Sequence, residues 1–204
     1  MGNQGDCFMA KSEIRALSTP QERMLEAVRQ IALIGGGTLF VAVCAQKGSI
    51  SLMPLTPVPL TIQNFAVLLV GLLLGSRRGF ASMMLYLVVG VVGFPVFSPG
   101  GPGGISQLFG GVTGGFLLAY PFVAFVAGYV FERGTGTFAR AVIAGVLAEA
   151  LLFAGGLCWL YAFTHSFARA AYFGLYWFVA AEVIKVMVAA GFASRWRRLS
   201  SRAE

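Results

Sequence analysis

The stretch ARAVIAGVLAEALLFAGGLCWLYAF, residues 139–163, carries only two charged side chains, Arg140 at its edge and Glu149 in its middle. A helix needs about 20 predominantly apolar residues to cross a bilayer, and this run exceeds that. The chain therefore crosses a membrane. Working outward, further apolar stretches cover residues 112–131, 80–94 and 62–75 on one side and 172–192 on the other, each set off by Gly, Pro or charge. A sixth begins near Val28. Ahead of it, Thr19, Pro20 and Glu22 supply an N-cap, a proline at the first helical position and the third-residue acid of a capping box. A helix is expected from Pro20 to about Ala45, its polar start lying on the membrane surface.

Composition agrees with this reading. Of 204 residues, 57% are hydrophobic and 11% charged, with a mean hydropathy of +0.79, whereas soluble domains carry about 25% charged residues. The expected fold class is an all-α integral membrane protein of six transmembrane helices. Three regions follow: a cytoplasmic extension and helix start (1–27), a membrane domain (28–192) and a basic tail (193–204). The short 62–75 stretch either leans on protein neighbours or continues back through Pro57 and Pro59. The apolar run begins too late for a cleavable signal peptide.

Orientation follows from the basic residues. With both termini cytoplasmic, the inner side holds Lys11, Arg15, Arg23, Arg29, Arg77, Arg78, Arg133, Arg140, Arg195, Arg197, Arg198 and Arg202, and the outer side only Lys47 and Arg169. The net charge of +7 thus flanks apolar runs and forms no nucleic-acid-binding face. Cys7, Cys44 and Cys158 suggest neither a disulfide framework nor a metal site.

Lys185 falls inside an apolar stretch, three residues after Glu182. That spacing puts both on one helix face, where they can neutralise each other. A charge at mid-bilayer costs about 2.5–3.5 kcal/mol on insertion scales, so such residues face protein or a watery cavity and mark a site. The pair offers an acceptor and a cation side by side, suited to a ligand with amide-like donors and a carboxylate. If the last helix starts only near Ala180, Glu182 lies in its first turn, where the helix dipole favours an anion. Glu149 reads as a structural or protonated carboxyl in preference to a relay. His165 falls in an outer connection. The Gly- and Pro-dense segment 98–111 can act as a lid or as a flexible connector. Ala32 and Gly36 present a small helix face open to close packing, internal or external. Trp159, Tyr161, Tyr172, Tyr176 and Trp177 belong to an outer aromatic belt.

The order Pro57-Val58-Pro59-Leu60-Thr61-Ile62-Gln63, then Gly71 to Gly75, Tyr86, Gly90, Gly93, Pro95, Phe97, Gly110 to Phe116, and finally Glu182 and Lys185, resembles the BioY family. Its members are the biotin-binding S components of energy-coupling factor (ECF) vitamin transporters, and the likeness covers roughly residues 30–192. The resemblance implies a six-helix binding subunit in the bacterial plasma or inner membrane, holding biotin in an outward-facing pocket. It also implies partnership with a transmembrane coupling protein and two ATPase subunits, with Ala32 and Gly36 as the docking face. Glu182 and Lys185 would meet the polar groups of biotin, Thr61, Gln63 and Thr113 would add contacts, and Phe97, Phe116 and Trp159 would form walls. Departures are visible: the family's usual aspartate is Glu182 here, its Pro-rich approach to that acid is absent, and Gly111-Val112-Thr113-Gly114-Gly115-Phe116 lacks the family's proline and tyrosine. No cofactor or metal is expected. With no nucleotide-binding loop of the Walker type and no catalytic set, an enzyme is disfavoured; an S component for another vitamin, or a transporter acting alone, stays as the alternative.

Overall fold

The structure, a computed structural model, describes residues 19–52, 55–99, 101 and 103–203. Most of the expected extension, with Cys7, Lys11 and Arg15, lies outside the described residues. Eight α-helices occur among those described: α1 Pro20–Lys47, α2 Gln63–Leu74, α3 Ser76–Val91, α4 Gly104–Phe109, α5 Gly114–Glu132, α6 Phe138–Thr164, α7 Phe167–Ala171 and α8 Val179–Ala203. A π-helical turn, Tyr172–Tyr176, joins α7 to α8. Two short strands, β1 Ser49–Ile50 and β2 Leu60–Thr61, pair antiparallel with Ser49 opposite Thr61. The chain divides into a unit up to Leu33 and a body from Ile34 onward.

The start of α1 is the capping box expected from sequence. Glu22 N donates to Thr19 Oγ1 at 3.2 Å, and Thr19 N donates to Glu22 Oε2 at 2.8 Å. By length and apolarity α1, α5 and α6 can each cross a bilayer, and α7 with the π-turn and α8 passes together as a pair bent by 43°. The remaining stretches are α2 and α3. At 12 and 16 residues they reach roughly 18 and 24 Å, short of the ~30 Å hydrocarbon core. The helix α2 leans on protein, since Gln63 and the run from Ala66 to Leu72 are buried. The backbone before it is not helical: the two-strand ladder takes up its polar groups, a feature that the all-α expectation omitted. The helix α8 continues through the basic tail to Ala203.

Small residues set how closely the helices approach. A Cβ on Gly71 of α2 would lie 2.5 Å from the Ala124 carbonyl oxygen of α5, and one on Gly145 of α6 would lie 2.8 Å from Val186 of α8. Gly75, the single residue between α2 and α3, has φ +85° and lies against the Glu132 carboxylate. That carboxylate caps α3, accepting from Ser76 N at 3.0 Å and Ser76 Oγ at 2.8 Å. At the same end, Arg140 Nε and Arg197 Nη1 donate to the Val130 and Phe131 carbonyls at 2.7 and 2.8 Å, satisfying the end of α5. Gly71→Ala is expected to destabilise the body by about 1–3 kcal/mol, because backbone rather than a movable side chain blocks the new methyl. Gly35→Ala, with nothing within 4 Å, serves as the control; thermal unfolding in detergent should drop for the first and hold for the second.

Candidate functional site

The site forms where β2 gives way to α2. Ile62 N donates to Gly48 O at 2.8 Å, anchoring the turn, and the next two residues, Gln63 and Asn64, enter the first helical turn with polar side chains directed into protein. Gln63 is almost fully buried. Its Nε2 donates to the Tyr86 hydroxyl at 2.9 Å, Tyr86 donates on to Val96 O at 2.9 Å, and Ser98 Oγ donates to Gln63 Oε1 at 3.0 Å. Asn64 Nδ2 donates to Glu182 Oε1 at 2.9 Å, while its Oδ1 accepts from Thr61 Oγ1 and Tyr120 OH, each at 3.3 Å.

Glu182 sits in the first turn of α8, the later of the two helix starts considered from sequence. The π-turn and the bend after it take the place of the Pro-rich approach. Lys185, one turn on, donates to Glu182 Oε1 at 2.8 Å and to the Thr61 carbonyl at 2.6 Å. The Lys185 and Glu182 side chains are 14% and 4% exposed, so the ion pair is shielded. An ionised carboxylate has about four acceptor positions. Here Oε1 takes two donors and Oε2, buried, takes none.

Glu182 lines a narrow cavity of about 40 Å³. Its polar lining includes Thr61, Gln63, Asn64 and Tyr120, and its apolar lining Phe116, Phe153 and Phe178. A second, wider hollow, about 500 Å³, is lined by Ser49, Ser51, Pro57 and Pro99 and shares Pro59, Ser98, Gln107 and Thr113 with the first. Those four shared residues stand between them. Two come from the 98–111 segment, which contains α4 and is tied to the body by Ser98 Oγ donating to Gln63 Oε1 and Trp159 Nε1 donating to Gly111 O, both at 3.0 Å. The larger hollow is thus a vestibule to the smaller.

Of the residues singled out from sequence, Thr61, Gln63, Thr113, Phe116 and Glu182 share this cavity, with Lys185 one hydrogen bond behind. Phe97 and Trp159 are not among its walls. Phe97 fills the space over Gly90 and meets the Tyr86 ring edge-on at 5.4 Å; Trp159 packs on Gly115 and donates from Nε1 to Gly111 O at 3.0 Å. Ala32 and Gly36 are exposed, and nothing lies within 4 Å of a Cβ on Gly36, whereas the neighbouring Gly37 faces Ser82. His165 is the left-handed cap of α6. Sequence reasoning passed over Asn64 and Tyr120. Their signal was present: uncharged hydrogen-bonding groups within otherwise apolar runs.

A helical multi-pass bundle with a shielded ion pair opening on a small cavity defines a membrane protein with an internal small-molecule site. The comparisons make this particular. The BioY family model matches residues 13–202, and the chain belongs to the BioY family. It is 35% identical over 167 residues to a probable biotin transporter BioY of Pyrococcus horikoshii, covering 82% of this chain and 95% of that one. It is 34% identical over 172 residues to the biotin transporter BioY of Thermotoga maritima, covering 84% and 98%. A crystal structure of the S-component for biotin from an ECF-type ABC transporter superposes with a TM-score of 0.75, at 23% identity over 89% of this chain and 95% of that chain. The fold is that of an S component, and the protein is a multi-pass membrane protein.

Proposed function

We propose that the cavity binds biotin, and that the protein is the biotin-recognising subunit of a vitamin uptake system rather than an enzyme. Glu182 Oε2 carries this reading: a buried carboxylate oxygen without a partner, on a residue that lines the cavity, asks for an N–H donor from a ligand. The ureido ring of biotin has two such donors. Bonds of this charge-assisted kind contribute about 1.5–3 kcal/mol each. The bicyclic body then lies among Phe116, Phe153 and Phe178, and the valerate chain runs toward Thr113, Ser98 and Gln107 at the vestibule. Lys185 fixes the carboxylate. The names of the relatives support biotin as the ligand, and the basic residues support cytoplasmic termini with the vestibule facing out.

In this reading ATP is hydrolysed elsewhere, by two ATPase subunits linked through a transmembrane coupling protein that meets the open face of α1 at Ala32 and Gly36. Calorimetric titration of the detergent-purified protein tests the ligand. Biotin should bind tightly, desthiobiotin (which keeps the ureido ring) more weakly, and riboflavin not at all; a preference for riboflavin, or no biotin binding, would overturn the assignment.

A further inference from the structure

Glu149 belongs to the cavity's electrostatics although it does not line it. It is 6% exposed, and neither carboxylate oxygen has a hydrogen-bond partner. Its depth follows from helix register. A side chain on Gly145 would touch Val186, and one on Gly174 would touch Leu157 and Leu160, so α6 and α8 run antiparallel. Glu149 lies four residues after Gly145 and Glu182 four before Val186, each about 6 Å further along at 1.5 Å per residue. The two acids are therefore level.

Among the described residues, the charged and titratable groups near this point can be named. From α8 come Glu182 and Lys185, both of which interact electrostatically with Glu149. From α5 comes Tyr120, and α2 offers only the neutral Gln63 and Asn64. The segment of α7 and the π-turn, packed on the last turns of α6, carries Arg169, Tyr172 and Tyr176, all exposed. Glu132, Arg140 and Arg195 lie nine or more residues along their helices from Tyr120, Glu149 and Glu182, at least ~13 Å away. Two carboxylates thus share one lysine. With all three ionised the cluster carries one uncompensated negative charge in a medium where each unpaired ion costs several kcal/mol.

We propose that Glu149 is a proton-binding site linked to the cavity, so that an anionic ligand enters with one proton bound beside it. The proton comes from water and neutralises the Glu149 carboxylate; no other bond is made or broken. Without it, an ionised Glu149 adds an uncompensated negative charge beside Glu182 and competes with it for Lys185, the cation that positions Glu182 for the ligand. This linkage rests on the biotin reading, while the proton site itself does not.

The test is calorimetric titration of biotin over a pH series in two buffers of different ionisation enthalpy, on the wild type, Glu149→Gln and Glu149→Asp. In the wild type, affinity should fall about tenfold per pH unit once Glu149 loses its proton, with one proton taken up per biotin. Glu149→Gln, which mimics the protonated acid, should keep the low-pH affinity at every pH and take up no proton; Glu149→Asp should keep the slope with a moved midpoint. A flat, buffer-independent wild type, or a slope retained in Glu149→Gln, overturns the linkage. Infrared spectra separate the two levels of the claim if no variant binds biotin. A carboxylic-acid C=O band present in the wild type at neutral pH and missing from Glu149→Gln upholds the proton site, and a wild type without that band sinks it.

Discussion

Lys185→Ala is expected to lower the melting temperature in detergent by on the order of 10 °C. The lysine is the cation of a shielded pair, and removing one partner of such a pair costs about 3–5 kcal/mol because the other charge is left buried, which for a chain near 200 residues corresponds to that shift. The Thr61 carbonyl loses its donor in the same step. Biotin affinity should fall with stability. A double variant, Glu182→Gln with Lys185→Met, separates the two effects: no charge is stranded, so the melting temperature should largely recover, while biotin, offered a neutral acceptor in place of a carboxylate, should still bind at least about tenfold more weakly. A Lys185→Ala protein that melts like the wild type would contradict the buried pair.

Asn64→Leu carries the second large effect. The two side chains share one branched heavy-atom skeleton, but Glu182 Oε1 loses one of its two donors, and the Thr61 and Tyr120 hydroxyls lose a shared acceptor. A hydrogen bond to a charged group contributes about 1.5–3 kcal/mol; at 1.4 kcal/mol per decade, biotin affinity should drop roughly 10- to 150-fold. Equilibrium binding of labelled biotin measures this, and an unchanged affinity would remove Asn64 from the site.

Much of the architecture is legible in the sequence because the bilayer demands it. Runs of apolar residues bounded by Gly, Pro and charge mark helices whatever their partners, and the Thr19 cap is a local motif read from four residues. Glu182 and Lys185 are visible because charge in an apolar run has few explanations. Other features depend on contacts distant in sequence. Whether Phe97 is wall or core turns on Gly90 and Tyr86, and whether Trp159 faces the cavity turns on Gly111 and Gly115. Asn64 gains its role only when α8 brings Glu182 to it across 118 residues. Two-residue strands lie below any periodicity, so the ladder that closes the backbone ahead of α2 leaves no pattern to read. The start of α8 was open between two positions because the π-turn and bend that decide it have no proline to mark them.

The central claim is that Glu182 Oε2 receives an N–H of biotin. A structure of the complex tests it most directly: the account predicts a ureido nitrogen about 2.7–3.2 Å from Oε2, with Lys185 still on Oε1 and the rings between Phe116 and Phe178. Biotin resting in the vestibule against Ser49 and Pro57, with Oε2 still unpartnered, would contradict it.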